Sequence, residues 1–328
     1  MLAAKDPHGR YRPASTLKLL TAQVMLKKLR DLKKVVSGTT SDADQDGTRV
    51  GIEAGGKYTV RQLLTYLIII SGNDAANALA RTNGGYDKTV DDMNATAKAL
   101  GALDTRAATV SGLDGPGQST SAYDLAVFAK ADMATPPFPE IASSVDVRVP
   151  SAGGKGYIAA NDNQLLYQYK GVLGGKTGFT DDAGNTYVGM AAREGRRLVV
   201  TMLDGTQQPR RQWMQGASLL DWGFALPADA PAVGKLVGSL AEATAAPAAP
   251  TPTTGAPGSI ASRSPGTSTP PGSANPTSGP PTTTGAAAAT SGSSSTTLVL
   301  AGIGVIVLVA GAVLLWLRRR SRPRAPTI

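Results

Sequence analysis

Apolar positions in the first 226 residues recur at helical spacing in some stretches and bunch or alternate in others. Over residues 13–32, Leu17, Leu20, Val24 and Leu29 fall near one face with lysines opposite, which predicts a helix. Residues 60–70 form an apolar run of helical length, followed by a turn at Ser71-Gly72-Asn73 and a helix over 74–81. A further helix is predicted over 87–100, closed by Gly101. Another spans 121–133, with Ser121 as N-cap and Asp124 at the capping-box position. The pattern then turns strand-like at 145–149, 157–160, 172–176, 185–193 and 197–203. The last three are joined by short Gly-containing turns such as Arg193-Glu194-Gly195-Arg196, which predicts an antiparallel meander. A helix over 211–222 closes at Gly223. Helices and an antiparallel sheet in one domain give the class α+β.

Beyond residue 226 the pattern dissolves. Residues 227–297 open with a helix-compatible stretch at 233–241 and continue as a Pro/Thr/Ser/Ala-rich segment too poor in branched and aromatic residues to fold. A tether of ~55 such residues has a reach of roughly 40 Å. Residues 298–317, LVLAGIGVIVLVAGAVLLWL, are uncharged. At ~1.5 Å per residue they span about 30 Å, the thickness of a bilayer core. Trp316 ends the run, and residues 318–328 form an Arg-rich tail. The expectation is one C-terminal transmembrane helix in the cell membrane, with the tail cytoplasmic and residues 1–226 outside. Such a body needs an export signal, which Met1-Leu2-Ala3-Ala4-Lys5 does not supply, so a late start or a truncation is expected.

Composition narrows the chemistry. There is no cysteine and one histidine, His8, so thiol nucleophiles, Cys-ligated zinc and two-histidine metal sites are excluded. A Ser-His-Asp triad would have to use His8; acyl chemistry here points instead to a lysine, tyrosine or carboxylate base. The net charge of +9 misleads. All 24 acidic residues lie at or before Glu242, and six of the 33 basic ones lie beyond it, leaving a surplus of three in the body. That gives no reason to expect a nucleic-acid partner.

Three motifs carry the candidate chemistry. In Ser15-Thr16-Leu17-Lys18, Ser15 opens a helix and Lys18 sits one turn later on the same face. A helix N-terminus favours a developing oxyanion, and a lysine neutralised by burial and a nearby cation can take the hydroxyl proton. Ser71-Gly72-Asn73 sits on a tight turn that can send one hydroxyl and one amide into a cleft. The tripeptide is weak alone, since Ser273-Ala274-Asn275 also matches within the linker. In Lys176-Thr177-Gly178, strand alternation puts Lys176 and Gly178 on one face, with Gly178 leaving room for a ligand backbone. Gly171 precedes Lys176 by five residues, as in a phosphate-binding loop, but the residues after the lysine do not open a helix.

This ordered set marks penicillin-binding proteins and serine β-lactamases. Tyr11 to Lys18, Tyr58 to Leu64, Ser71 to Asn77, Ser111-Gly112-Leu113-Asp114, Gly174 to Thr180 and Leu219 to Phe224 resemble the low-molecular-mass D-alanyl-D-alanine carboxypeptidases of peptidase family S11. Ser-Gly-Asn, rather than Ser-Asp-Asn, sets the middle motif apart from the common class A β-lactamases. The resemblance implies a β-lactamase/transpeptidase-like fold, an antiparallel sheet with helices on both faces. Family members carry two strands ahead of the Ser-x-x-Lys helix, of which only the end of the second, near Leu2 to Lys5, is expected here.

By the same resemblance, Ser15 is the acylated nucleophile, Lys18 its base, and Ser71 the proton relay, aided by Lys176. Asn73 holds the substrate amide. Lys176 and Thr177 bind the terminal carboxylate, with Arg211, or Arg210 beside it, assisting. The N–H groups of Ser15 and Phe179 form the oxyanion hole. The implied partners are a peptidoglycan stem ending in D-Ala-D-Ala and β-lactams as covalent inhibitors; no metal or organic cofactor is called for. A transpeptidase, endopeptidase or β-lactamase shares this acylation chemistry. A non-catalytic cell-wall-binding scaffold of the same fold is the alternative from another class.

Overall fold

A computed structural model of the chain describes residues 1–151 and 154–245. The apolar stretch 298–317, the Arg-rich tail and the linker beyond residue 245 lie outside the described residues. Among the described residues no helix is long and apolar enough to cross a membrane.

A 3-10 turn, Ala14–Leu17, leads directly into α1, Lys18–Lys28. Every α1 residue from Lys18 to Leu26 is buried, so the helix runs through the core. This corrects the expected amphipathic helix with a lysine face: only Lys27 and Lys28, at its end, reach solvent, and the helix closes before Leu29. Around it are β1 (Val35–Ser37), α2 (Thr40–Ala43), β2 (Lys57–Thr59), α3 (Val60–Ile69), α4 (Asn73–Thr82), α5 (Tyr86–Leu100), α6 (Ala122–Met133) and α7 (Phe138–Ser143). α3 starts at a reciprocal cap, Thr59 with Gln62, and α6 starts at Ser121, whose hydroxyl accepts from the Asp124 N–H. α5 ends on Gly101 at φ +80°, the left-handed conformation that closes a helix without a Cβ clash. The short pair β1–β2, and α2 and α7, are too brief to show a period in the sequence.

The remaining elements are a hairpin of β3 (Asp146–Ser151) and β4 (Gly154–Ala160), a turn of helix α8 (Leu165–Gln168), and an antiparallel sheet in the order β5 (Val172–Thr180), β6 (Gly184–Arg193), β7 (Arg196–Gly205). The predicted meander is therefore present, with Thr177 opposite Tyr187 and Val188 opposite Thr201. Helices cover both of its faces. Tyr187 and Ala191 of β6 point to α9 (Gln212–Ala225), where they pack with Val200 and Leu220. Val188 and Met190, offset by one residue, join the main core around α1. Residues 1–4 form no strand, so the expected remnant is absent, and among the described residues the sheet has three strands. Met1 instead pairs with the chain near Gly234, its carbonyl accepting from Val233 N at 2.9 Å.

The linker boundary expected at residue 227 also shifts. Residues 227–245 are tied to the body: Tyr123 Oη donates to Lys235 O (2.8 Å) and accepts from Val237 N (3.0 Å), and Val237 is buried. A short helix, α10 (Leu240–Thr244), packs on α5, its backbone reaching Gly101, where a Cβ would stand 2.6 Å from Ser239 O.

Candidate active site

Ser15 lies in the 3-10 turn ahead of α1. Ala14 before it is at φ +46°, an unfavourable conformation for a residue with a Cβ, and it turns the chain sharply into the helix. Close packing fixes that bend. Gly112 touches it so closely that a Cβ there would stand 1.9 Å from Ala14 O. Pro13 O accepts from the hydroxyls of Thr16 (2.6 Å) and, from β6, Thr186 (2.8 Å).

Lys18 is fully buried, and its Nζ contacts three oxygens: Ser15 Oγ at 2.9 Å, Asn73 Oδ1 at 2.7 Å and Ser111 O at 2.5 Å. Burial, then the charge of Lys176, hold its pKa well below that of a free lysine; Asp74 and Asp162 act against them. A neutral Nζ has two hydrogens for Asn73 and Ser111 and a lone pair for the Ser15 hydroxyl. The Ser-Gly-Leu-Asp segment, whose purpose the sequence did not reveal, thus supplies both a carbonyl for the base and the glycine under the nucleophile's turn.

Asn73 sits at the start of α4. Its Oδ1 is taken by Lys18 and its Nδ2 donates to Asp46 O at 2.6 Å. It was expected to hold substrate; in the free protein it holds Lys18, with one amide hydrogen left over. The turn is anchored by Asp74, a buried residue that sequence reasoning passed over. Its carboxylate accepts the N–H groups of Val50, Gly51, Ile52 and Ala75 at 2.7–3.0 Å. Ser71 is at φ +67°, and its buried hydroxyl has no hydrogen-bond partner among the described residues. A strained residue with an unpartnered hydroxyl is costly for folding and suits a ligand or proton-transfer role.

Lys176 comes from β5, 1% exposed, its Nζ donating to Thr177 O at 2.9 Å. Burial lowers its pKa to about 8, with Asp162 pulling the other way. Gly178 brings β5 against the nucleophile: a Cβ there would stand 2.8 Å from Ser15 N and 2.4 Å from Thr186 Oγ1. This corrects the sequence reading, in which the glycine made room for a ligand. The space is filled by the backbone of the nucleophile's own turn. Thr177 is half-buried and Phe179 is 59% exposed beside them. Arg12 ties the walls together through Asp114 (3.4 Å) and Asp182 (3.3 Å). Arg211, the N-cap of α9, and Arg210 are exposed and form no ion pair among the described residues; neither bonds to the residues above.

A half-buried serine beside a buried lysine, a second serine and a strand lysine thus meet from the turn into α1, the α3–α4 turn and β5. The family model described as D-alanyl-D-alanine carboxypeptidase matches residues 1–207. The chain belongs to this family. It is 47% identical over 230 residues to a D-alanyl-D-alanine carboxypeptidase of Mycobacterium tuberculosis, covering 69% of this chain and 78% of that protein. It is 34% identical over 236 residues to a D-alanyl-D-alanine carboxypeptidase of Escherichia coli, covering 68% of this chain and 59% of that one. Among solved structures, the D-alanyl-D-alanine carboxypeptidase from Mycobacterium tuberculosis superimposes with a TM-score of 0.67 at 45% identity, over 73% of this chain and 89% of that one. A Streptomyces DD-transpeptidase does so with a TM-score of 0.64 at 28% identity, over 69% and 92%. These neighbours carry the penicillin-binding/transpeptidase-like fold to which this carboxypeptidase-family chain also belongs.

Proposed function

We propose that this chain is a serine D-alanyl-D-alanine carboxypeptidase that removes the terminal D-Ala from peptidoglycan stem peptides. The observation that carries the reading is the Lys18–Ser15 pair, 2.9 Å apart, with the amine caged by neutral oxygens and its pKa held low. Lys18 takes the Ser15 hydroxyl proton as Oγ attacks the carbonyl carbon of the penultimate D-Ala. The N–H groups of Ser15 and Phe179 receive the oxyanion. The C–N bond then breaks, the departing amine takes a proton through Ser71, and D-Ala leaves. Water, losing its proton to Lys18, cleaves the ester and frees Ser15. Lys176 and Thr177 hold the terminal carboxylate, with Arg211 assisting. β-Lactams present the same acyl geometry and trap Ser15 as an ester.

Similarity to a DD-transpeptidase keeps a second outcome in view: an amine replaces water as acceptor at the same acyl-enzyme. The uncharged segment 298–317 and the arginines after it support anchorage in the cell membrane by one helix, the catalytic domain outside and the tail inside.

One experiment addresses chemistry and placement together. Intact cells expressing the chain are treated with a membrane-impermeant fluorescent penicillin, and D-Ala release is assayed on the purified protein. Wild type labels and releases D-Ala, whereas Ser15→Ala does neither. Labelling that persists in Ser15→Ala would overturn the nucleophile assignment. Labelling of wild type only after lysis would overturn the external placement.

A further inference from the structure

The loop between β4 and α8 is wedged between the second and third motifs. Asp162 N donates to Ile69 O at 3.1 Å, two residues before Ser71. On the other side, Asn163 Nδ2 lies against Gly175, 2.7 Å from where a Cβ would stand, one residue before Lys176. Asn161 and Asn163 are buried and turned into the body. Asn161 Nδ2 donates to Ser144 O (2.9 Å), and Asn163 Oδ1 accepts from Leu165 N (3.2 Å) and Tyr187 Oη (2.8 Å). Asp162, between them, keeps part of its surface in solvent yet lies close enough to the body for burial to raise its pKa. The backbone of Asp162 is thus held between the Ser71 turn and β5, one residue from the side chain that lies against Gly175.

The cleft has an unusual charge arrangement. Lys18 and Lys176 are both buried, and neither forms an ion pair among the described residues; their hydrogen bonds go to neutral oxygens. Asp74 opposes deprotonation of Lys18, but all its near partners are backbone amides. We propose that Asp162 is a positioning residue whose carboxylate, set by this loop between the Ser71 turn and β5, keeps Lys176 in the charged form that receives the substrate's terminal carboxylate. The inference rests on the carboxypeptidase reading above.

The electrostatics agree with the placement. Asp162 is the charged group that works against burial at Lys176; it acts on Lys18 too, alongside Asp74 and against Lys176. Reciprocally, burial raises the Asp162 pKa, while Lys176 and then Lys18 lower it. The two amines have opposite duties: Lys18 must be neutral to accept a proton, and Lys176 must be charged to bind an anion. A carboxylate acting more strongly on Lys176 than on Lys18 separates two amines that would otherwise titrate together.

The test is Asp162→Asn in the full chain, with Asp162→Glu as the conservative variant. Two readouts are tracked from pH 6 to 10. One is kcat/KM for D-Ala release from a peptide ending in D-Ala-D-Ala. The other is the side-chain NMR titration of isotopically labelled Lys176, assigned with Lys176→Arg. In Asp162→Asn the Lys176 midpoint and the alkaline limb of kcat/KM both fall by about one pH unit. The ratio of kcat/KM at pH 6.5 to that at pH 9 then grows about tenfold, and Asp162→Glu stays near wild type. A uniform loss at every pH with the Lys176 midpoint unmoved would mean that the loop is structural only, and the inference fails. A shifted midpoint in a chain whose wild type releases no D-Ala leaves the electrostatic role standing and sinks the carboxypeptidase reading instead.

Discussion

At the scale of single residues, three positions bear burdens that their side-chain chemistry alone would not assign. Ala14 and Ser71 adopt left-handed backbone conformations on either side of the reacting pair, and Gly178 has no side chain because none fits. Gly178→Ala puts a methyl 2.8 Å from Ser15 N and 2.4 Å from Thr186 Oγ1, distances that real Cβ atoms do not tolerate. β5 must then retreat from the nucleophile's turn. A displacement approaching 1 Å costs about a hundredfold in catalysis. Gly178→Ala is therefore expected to lose about that factor in the rate of acylation by a penicillin, measured by stopped-flow, while its thermal unfolding stays cooperative. Acylation at the wild-type rate would show that the strand can yield. The sequence made Ser15, Lys18, Ser71, Asn73 and Lys176 legible because their residue types and order are diagnostic. It misassigned Gly178 and the first duty of Asn73. The glycine is kept small by the backbone of Ser15 at the other end of the folded body's sequence, and the amide's partner is a lysine 55 residues away along the chain.

At the scale of elements, the central helix shows how a periodic pattern misleads. Leucine spacing predicts one apolar face, yet α1 is enclosed by α3, α5 and α6, so its polar residues are buried too. The consequence appears at the α1–α6 interface. Gln23 Oε1 and both carboxyl oxygens of Asp132 are buried without a hydrogen-bond partner among the described residues. Burial drives the Asp132 pKa well above 3.8, with Lys27 of α1 opposing. In the unfolded chain this group ionises near its ordinary value, while in the fold it holds its proton to higher pH. Folding therefore takes up a proton, so the stability associated with Asp132 is greatest below the unfolded pKa and declines as pH rises above it. Asp132→Asn is expected to remove that decline and to raise stability at pH 8 by about 1–3 kcal/mol. Urea unfolding at pH 5 and pH 8 checks both expectations; an unchanged pH dependence would refute them. The antiparallel meander was readable because Gly-containing turns punctuate it. β1 and β2 were not, since three-residue strands have no period to read.

At the scale of the whole molecule, the folded body extends past the point where composition suggests it ends. Residues 227–245 are secured by Tyr123, by Lys130, whose Nζ donates to Leu236 O at 3.2 Å, and by the N-terminal residue, while Val237 is buried among the helices. Truncation after Leu226 is expected to cost about 2 kcal/mol from lost apolar burial and to lower Tm by about 4–8 °C. Differential scanning calorimetry measures this, and an unchanged Tm would show the segment to be a passive coating. Composition could not find this strap, because its alanines, prolines and valines are those of a linker, and only a matching surface on α5 and α6 makes it part of the body. The sequence by itself determined the fold class and the reacting residue types: local turn chemistry, hydrophobic period and motif order are properties of short stretches, and short stretches can be read. Tertiary structure alone decided which amine loses its proton more readily, which glycine is obligatory and that residues 227–245 belong to the body. Desolvation, close approach and surface complementarity arise only when segments distant in the chain are brought together.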